Sequence, residues 1–531
     1  MSAAGKIAEQ MGGLLFTWRR IVIVALAMAI SFSADGHVGS PNVFFEGPAG
    51  PYPVRITIRP PGVIPGLAEV SVRVFTNGVD RVRAVPIRWD TGRKGAPPPD
   101  EARLVPGETN LYSAQLWFMR GGAQSVEVSV EGGRGSSHVT VPVNAVATRV
   151  LGMPSNLGVV LSILGGLLVG MLALMVGGAV RESVLPPGVV PSRKRIWGAR
   201  AASVGAAVVV GLLLWRGKGW WDREASDYRL RRLYHPMAVS AEVVKENRGR
   251  VLRLYLTDEN FQFTSPLMPD HGKLMHLFLA REPGLEAFAH LHPTRVDLKT
   301  FAVKLPALPG GRYQLYADVT YETGLADTFT TAVEIPEDAG PVEDGNQRSD
   351  SDPDDAWTLA DKFETRPAGV SRTRSELSRD YTMEWLQDEG LVENRDAKMR
   401  FVIRDAEGRA VSPEPYMGML GHLILRNADG SVFTHLHPGG SFSMAARQLF
   451  EMRAEGKAPL RVANSASDPV CTLPPLSEAQ VEWLRANPLD ADHAVSFPFA
   501  FPKAGLYRMW VQVKVDGRVL TGVFDAGVSA P

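Results

Sequence analysis

The sequence predicts a mainly β protein: three immunoglobulin-like β-sandwich domains joined by transmembrane α-helices. Three observations lead there. Short runs of two-residue hydrophobic alternation recur between turns, in a chain with 52 glycines and 39 prolines. Two apolar stretches interrupt the pattern in the middle of the chain. A strand-rich block is then present twice in the C-terminal half, and 531 residues are enough for three or four domains.

The elements follow in order. Residues 1–36 read as a signal peptide or an N-terminal anchor. Lys6, Arg19 and Arg20 precede the apolar run of "WRRIVIVALAMAISFSADG", and small residues follow it, with cleavage expected after Ser33 or Gly36. Residues 37–150 read as an immunoglobulin-like sandwich. "YPVRITIRP" sets Val54, Ile56 and Ile58 on one face, and "AEVSVRVF" does the same with Val70, Val72 and Val74. Residues 155–180 carry no charge from Asn156 to Val180, and a span needs about 20 residues, so a transmembrane helix is expected. Gly165, Gly166 and Gly170 would admit a second helix closely.

Residues 181–195 form the expected cytoplasmic loop, with Arg181, Arg193, Lys194 and Arg195 on the side that favours positive charge. Residues 196–216 form a second span, followed by Trp220 and Trp221 at the interface. The basic residues Arg216 to Arg232 oppose that orientation, and the signal-like N-terminus decides it. The expected place is a bacterial inner membrane, with most of the chain periplasmic.

The duplication comes next. "VKENRGRVLRLYLTD" (Val244–Asp258) aligns with "LVENRDAKMRFVIRD" (Leu391–Asp405), and "PGGRYQLYADVTYETG" aligns with "PKAGLYRMWVQVKVDG". This gives repeat 1 at 224–336 and repeat 2 at 357–531, the latter with an insertion at about 440–489. Between them, 337–356 reads as an acidic disordered linker.

Each repeat holds the same phrase: "FAHLHP" at Phe288–Pro293 and "FTHLHP" at Phe433–Pro438. In the first, His290 and His292 share a strand face, and closing the hairpin sets His276 against one of them. In the second, Asp429-Gly430 is a strong hairpin signal, which brings His422 opposite His437 with His435 one step away. Three imidazoles per hairpin suit copper, zinc, nickel or iron. His271, with Asp270, could complete the first set, and Met417 aligns with His271 in the second. Soft sulfur beside imidazole favours copper; zinc is the second choice. Met268, Met275 and Met419 are weaker candidates that packing would explain equally well. His37, at a mature N-terminus, and His138 form a further chelating candidate. The competing reading makes the phrase a strand end in a duplicated core, its rings bonded to main-chain oxygens.

Other classes find little support. The 57 basic and 57 acidic residues cancel, which argues against nucleic acid as a partner. Cys471 is the one cysteine, so clustered-thiolate sites and intrachain disulfides are excluded. There is no phosphate loop, nucleophile elbow or His-Glu-x-x-His pattern, and no enzymatic activity is expected.

The segments "HVGSPNVFFEGPAGPYPVRITIRPPGVIPG" and "VPVNAVATRVLGMP", with "GHLILRNADGSVFTHLHP" and "FPKAGLYRMWVQVKVDGRVLTGVFD", carry a resemblance. They resemble bacterial exported membrane proteins with YtkA/FixH-like immunoglobulin-like domains and duplicated HLHP-containing repeats. That resemblance implies copper handling or the assembly of a respiratory oxidase. The first copy departs by having Asp270-His271 where the second has Tyr416-Met417. The expected function is a membrane-anchored periplasmic copper-binding protein that holds or passes the ion through His-rich hairpins. The rival is a metal-free, membrane-tethered scaffold for an envelope or respiratory-complex partner, with homo-oligomerisation left open.

Overall fold

Alternating runs become strands here because their apolar faces meet across pairs of sheets. The computed structural model describes residues 42–186, 188–246, 249–257, 266–337, 352–363, 373–386, 390–457, 460–463, 469–472 and 493–531. The expected signal or anchor, His37, most of the acidic linker and the later part of the insertion lie outside them.

Residues 43–145 build two sheets. One runs Val43–Ala49, Tyr52–Arg59, Gly66–Val74, Leu111–Phe118, Arg103–Leu104; the other runs Asp100–Glu101, Val79–Arg88, Gly122–Gly132, Gly135–Ala145. Val54, Ile56, Ile58, Val70 and Val72 of the first meet Val82, Val126, Val128, Val130 and Val141 of the second in one core. Each such side chain removed from water contributes ~1.5–3 kcal/mol.

Two helices, Ser155–Glu182 and Arg193–Asp227, are long and apolar enough to cross a membrane. They close on each other at Gly177, where a Cβ would lie 2.2 Å from Ser203 Oγ. Ser203 Oγ donates to Ala173 O at 2.7 Å. Gly165, Gly166 and Gly170 meet nothing within 4 Å, so the expected close approach falls about two to three turns further along the same helix. The second helix also outruns its expected end at 216. It continues to Asp227 and into a wide turn at Tyr228–Arg232, supported by the Lys218–Asp222 and Asp227–Arg231 pairs. Residues 224–232, assigned to repeat 1, are therefore helical, and its strands begin at Ala238.

The repeats share one plan. The first pairs Ala238–Glu246, Gly249–Thr257, Thr300–Lys304 and Thr294–Arg295 in one sheet. Its other sheet runs Leu267–Met268, Gly311–Tyr321, His276–Arg281, Ala287–Leu291, Ala356–Leu359, with Ala326–Ile335 beside Gly311–Tyr321. The second has Arg374–Glu376, Tyr381–Leu386, Asp396–Asp405, Ala410–Val411 and Val495–Ala500 in one sheet. Its other sheet runs Leu391–Val392, Arg518–Ser529, Gly505–Val515, His422–Asn427, Phe433–Leu436. The strand Ala356–Leu359 is a correction to the sequence reading. Residues 356–359, divided between the linker and repeat 2, complete the first repeat's sheet by pairing with Ala287–His290.

The insertion begins with order that the sequence reading missed. Ser443 caps a helix, Met444–Ala454, by accepting from Ala446 N–H. Leu449 and Ala445 of that helix pack on Met268 of the first repeat, and Phe442 just before it enters the core of residues 43–145. Gly440 needs to be glycine. Its φ is +138° and a Cβ there would lie 1.9 Å from Phe44 O.

Candidate metal centre

The alternation within the hairpins sends leucine and histidine to opposite faces. Leu277 pairs with Leu291 and Leu423 with Leu436, and these four enter their own repeats' cores. His276, His290 and His292, and in the other copy His422, His435 and His437, take the outer faces. Those outer faces press together. Phe288 stacks on Trp510 at 4.4 Å, Tyr316 on Phe433 at 3.8 Å, and Arg426 Nε donates to Tyr316 Oη at 2.8 Å. The hairpin register sets His276 level with His292, and His422 level with His437.

The result is one chamber rather than two. Seven rings are contiguous: His290 and His292 lie 4.6 Å apart between centroids, His435 and His437 4.6 Å, and His422 and His437 5.1 Å. Across the repeat boundary His276 is 5.7 Å from His435, and His290 is 6.2 Å from His422. Within it two groups bring ligand atoms within 4.8 Å of one another: His276, His290, His292; and His271, His422, His437. His271 belongs to repeat 1, so it serves the second repeat's group and not the first, as the alignment had suggested. Its position explains why. It sits at φ +53° in the turn Asp270–Lys273, whose counterpart Tyr416–Met419 holds Met417 at φ +48°. Met417 therefore occupies the equivalent place on the opposite copy.

The hydrogen bonds fix which nitrogens are available. His290 Nδ1–H donates to Gln512 Oε1 at 2.8 Å and His292 Nδ1–H to Asp355 Oδ1 at 2.9 Å. His276 Nε2–H donates to Asp270 O at 3.1 Å, and His437 Nδ1–H to Phe442 O at 3.3 Å. These partners turn the other nitrogen of each ring inward as a lone pair. His276 Nδ1 and His290 Nε2 then face each other at 3.2 Å, both bare. Two ligands on one tetrahedral ion with ~2.0–2.1 Å bonds stand about 3.3 Å apart. His292 Nε2, His435 Nε2, His437 Nε2, His271 Nε2 and both nitrogens of His422 are buried without a hydrogen-bond partner. Orphaned buried polar atoms cost ~1–3 kcal/mol each, a cost that a bound ligand in the chamber would relieve.

The electrostatics agree. Burial holds His276, His290, His292, His422, His435 and His437 below the ordinary histidine range, which keeps them neutral and able to ligate. Three carboxylates flank them. Asp355 accepts from His292, Asp318 lies 3.3 Å from His435 Nδ1, and Asp270 lies 3.6 Å from His271 Nε2. Burial pushes Asp318 up to about 6. Burial would raise Asp270 too, but its attraction to the protonated forms of His271, His437 and His276, with the Ala445 N–H, outweighs it and holds the carboxyl low. Six neutral rings flanked by carboxylates leave a deficit of positive charge that a bound cation would fill.

A further grouping, His292 with Asp352 and Asp355, is filled differently. The Lys273 ammonium bridges Asp352 at 2.7 Å and Asp354 at 3.2 Å. The remaining candidates separate from the chamber. Met275 lies in the first repeat's core and Met268 under the insertion helix, which makes both packing residues. His138 is exposed on the strand Gly135–Ala145. The sequence reading missed Gln512, Asp318 and Asp355. Their only sequence signal was polar residues in otherwise apolar strands, or an acidic residue in a presumed linker.

A family model described as a domain of unknown function, DUF8832, matches residues 376–530, which is most of the second repeat. No curated protein matches the sequence. Among solved structures, a tetra-tandem repeat from the extending region of a large adhesion protein is 8% identical, covering 88% of this chain and 71% of its own, at a TM-score of 0.14. Latent PorU from Porphyromonas gingivalis is 7% identical, with 89% of this chain covering 32% of that one, at a TM-score of 0.13. A chimeric titin Z1Z2 tandem is 11% identical over 56% of this chain and 100% of its own, at a TM-score of 0.12. Likenesses of this size carry no argument about fold or function.

Proposed function

We propose that this chain is a membrane-anchored metal-binding protein, with copper as the ion, that holds or passes the metal at its histidine chamber. The observation that carries this is the set of six buried imidazole nitrogens without partners, in a chamber where other ring nitrogens are tied back to protein groups. Imidazole-only ligation without thiolate suits Cu(II) or Cu(I), and zinc follows. The two long apolar helices support a bilayer anchor, and the paired sheets support three sandwiches of immunoglobulin-like form. A periplasmic setting in a bacterial inner membrane, and the kinship with YtkA/FixH-like exported proteins, belong to the same proposal.

The test uses the full chain in detergent. After addition of Cu(II) or Zn(II) and desalting, the wild type is expected to retain copper, and His290→Ala/His422→Ala is expected to lose it with its circular dichroism unchanged. Wild-type protein that retains neither ion would leave the metal-free scaffold as the reading.

A further inference from the structure

We infer that the chamber binds two ions as a single dinuclear centre, assembled in trans between the repeats, with His435 standing between the two positions. This rests on the metal-binding reading above. It departs from a site per repeat in two respects that the geometry supplies.

First, the second repeat does not hold a complete set alone, and the first group is oriented from the second repeat. The group around His422 and His437 gains its third ligand, His271, from the first repeat. The backbone that aims His271 is itself set from the other side of the boundary. Asp270 Oδ1 accepts from Ala445 N–H at 3.0 Å, at the first turn of the helix in the second repeat's insertion. Conversely, His290 of the first group is oriented by Gln512 of the second repeat. Each position thus depends on both repeats.

Second, the two positions share one space. Ring separations between the two groups, 6.1 Å for His271–His276 and 6.2 Å for His290–His422, barely exceed those within a group, such as 5.6 Å for His271–His422. No side chain of another type is needed to separate them. His435 has its Nδ1 turned to Asp318, and its Nε2 is buried without a partner. Its ring lies 5.2 Å from His422 and 5.9 Å from His290, one from each group. Two-metal sites hold their ions ~3.5–4 Å apart with a small ligand between. A chamber with two three-imidazole ends and a central seventh ring fits two copper ions joined by hydroxide or another small anion. The flanking carboxylates are distributed to match, with Asp355 at one end, Asp270 at the other and Asp318 at the middle.

The experiment loads full-length detergent-solubilised protein with Cu(II) and compares bound copper with the doubly integrated EPR signal. The expected result is two copper ions per chain with much less than half the signal of two isolated ions, because the pair is magnetically coupled. His271→Asn, which tolerates the left-handed backbone there, is expected to retain one ion with full signal. His422→Leu/His437→Leu is expected to do the same, and circular dichroism and melting temperature verify folding in each. Two ions with full, uncoupled signal, or one ion in the wild type, would overturn the dinuclear centre while leaving metal binding intact. His271→Asn retaining two coupled ions would overturn ligation in trans. Failure of the wild type to hold any copper would sink the metal reading itself.

Discussion

The two halves of the chamber are similar hairpins, yet they are held differently. In the first repeat's hairpin every ring has an outward nitrogen tied to a protein group: His276 to Asp270 O, His290 to Gln512, His292 to Asp355. In the second, His437 is tied to Phe442 O and His435 faces Asp318, while His422 has neither nitrogen bonded. The turns differ too, offering His271 from one copy and Met417 from the other. Similar hairpins supply the geometry, and their different supporting groups leave one half preorganised and the other dependent on its ligand.

Acid would strain both halves together and gives the largest expected effect. Six ring pKa values are depressed in the folded state by burial, so unfolding takes up protons below the ordinary value of 6.5. Stability is then fully present above 6.5 and is lost as pH falls through it, by about 1.4 kcal/mol per pH unit for each ring. Asp318, raised to about 6, acts in the opposite sense: its contribution favours the fold at low pH and fades as pH rises from about 4 to 6. Chemical denaturation of metal-free protein from pH 5 to 8 should show a steep loss on the acid side. A flat profile would break the picture of a neutral, buried ring cluster.

Next in size is Gly440→Val. It forces a Cβ to 1.9 Å from Phe44 O at a left-handed φ, in the turn that fixes His437. A loss of about 3 kcal/mol or more is expected. Melting temperature, with and without copper, would measure it.

The comparison itself is sharpened by one substitution in each half. His290→Leu leaves Gln512 Oε1 without its buried donor and should cost about 1–3 kcal/mol in metal-free protein. His422→Leu removes two unpaired buried nitrogens and should instead be neutral or stabilising by about 1–2 kcal/mol, while lowering copper retention from two ions to one. Equal and opposite results in urea titrations would reverse the assignment of the preorganised half. The smallest effect is expected from Met417→Leu: under ~1 kcal/mol in stability, with a shift in preference from Cu(I) towards Zn(II) in competition titrations.

Much of the hairpin architecture was legible in the sequence. The period-two spacing of His290 and His292, and the Asp429-Gly430 turn, were enough to place His422 opposite His437, because strand pairing is local. The trans position of His271 was not legible, since alignment of the copies says nothing of how their outer faces dock. The supporting groups were equally hidden. Asp355 arrives from a stretch whose acidity looked like a linker, and the Met444–Ala454 helix sits in a segment with no counterpart in the first copy. The helix closure at Gly177 was missed for a related reason: a small-residue pattern identifies permissive positions, and the partner helix selects among them.

The bond between Phe44 and the 439–441 turn constrains how the chain can thread a bilayer. Glu46 N–H donates to Gly439 O at 3.0 Å, Ser441 N–H donates to Phe44 O at 3.0 Å, and Lys398 pairs with Glu46 at 2.7 Å. Residues 43–145 and the repeats are thus zipped together, though both long helices separate them in sequence. Where those helices cross a membrane, they must do so as an out-and-back excursion that returns the chain to its starting compartment. Any topology that strands the two ends on opposite leaflet faces would tear this seam apart.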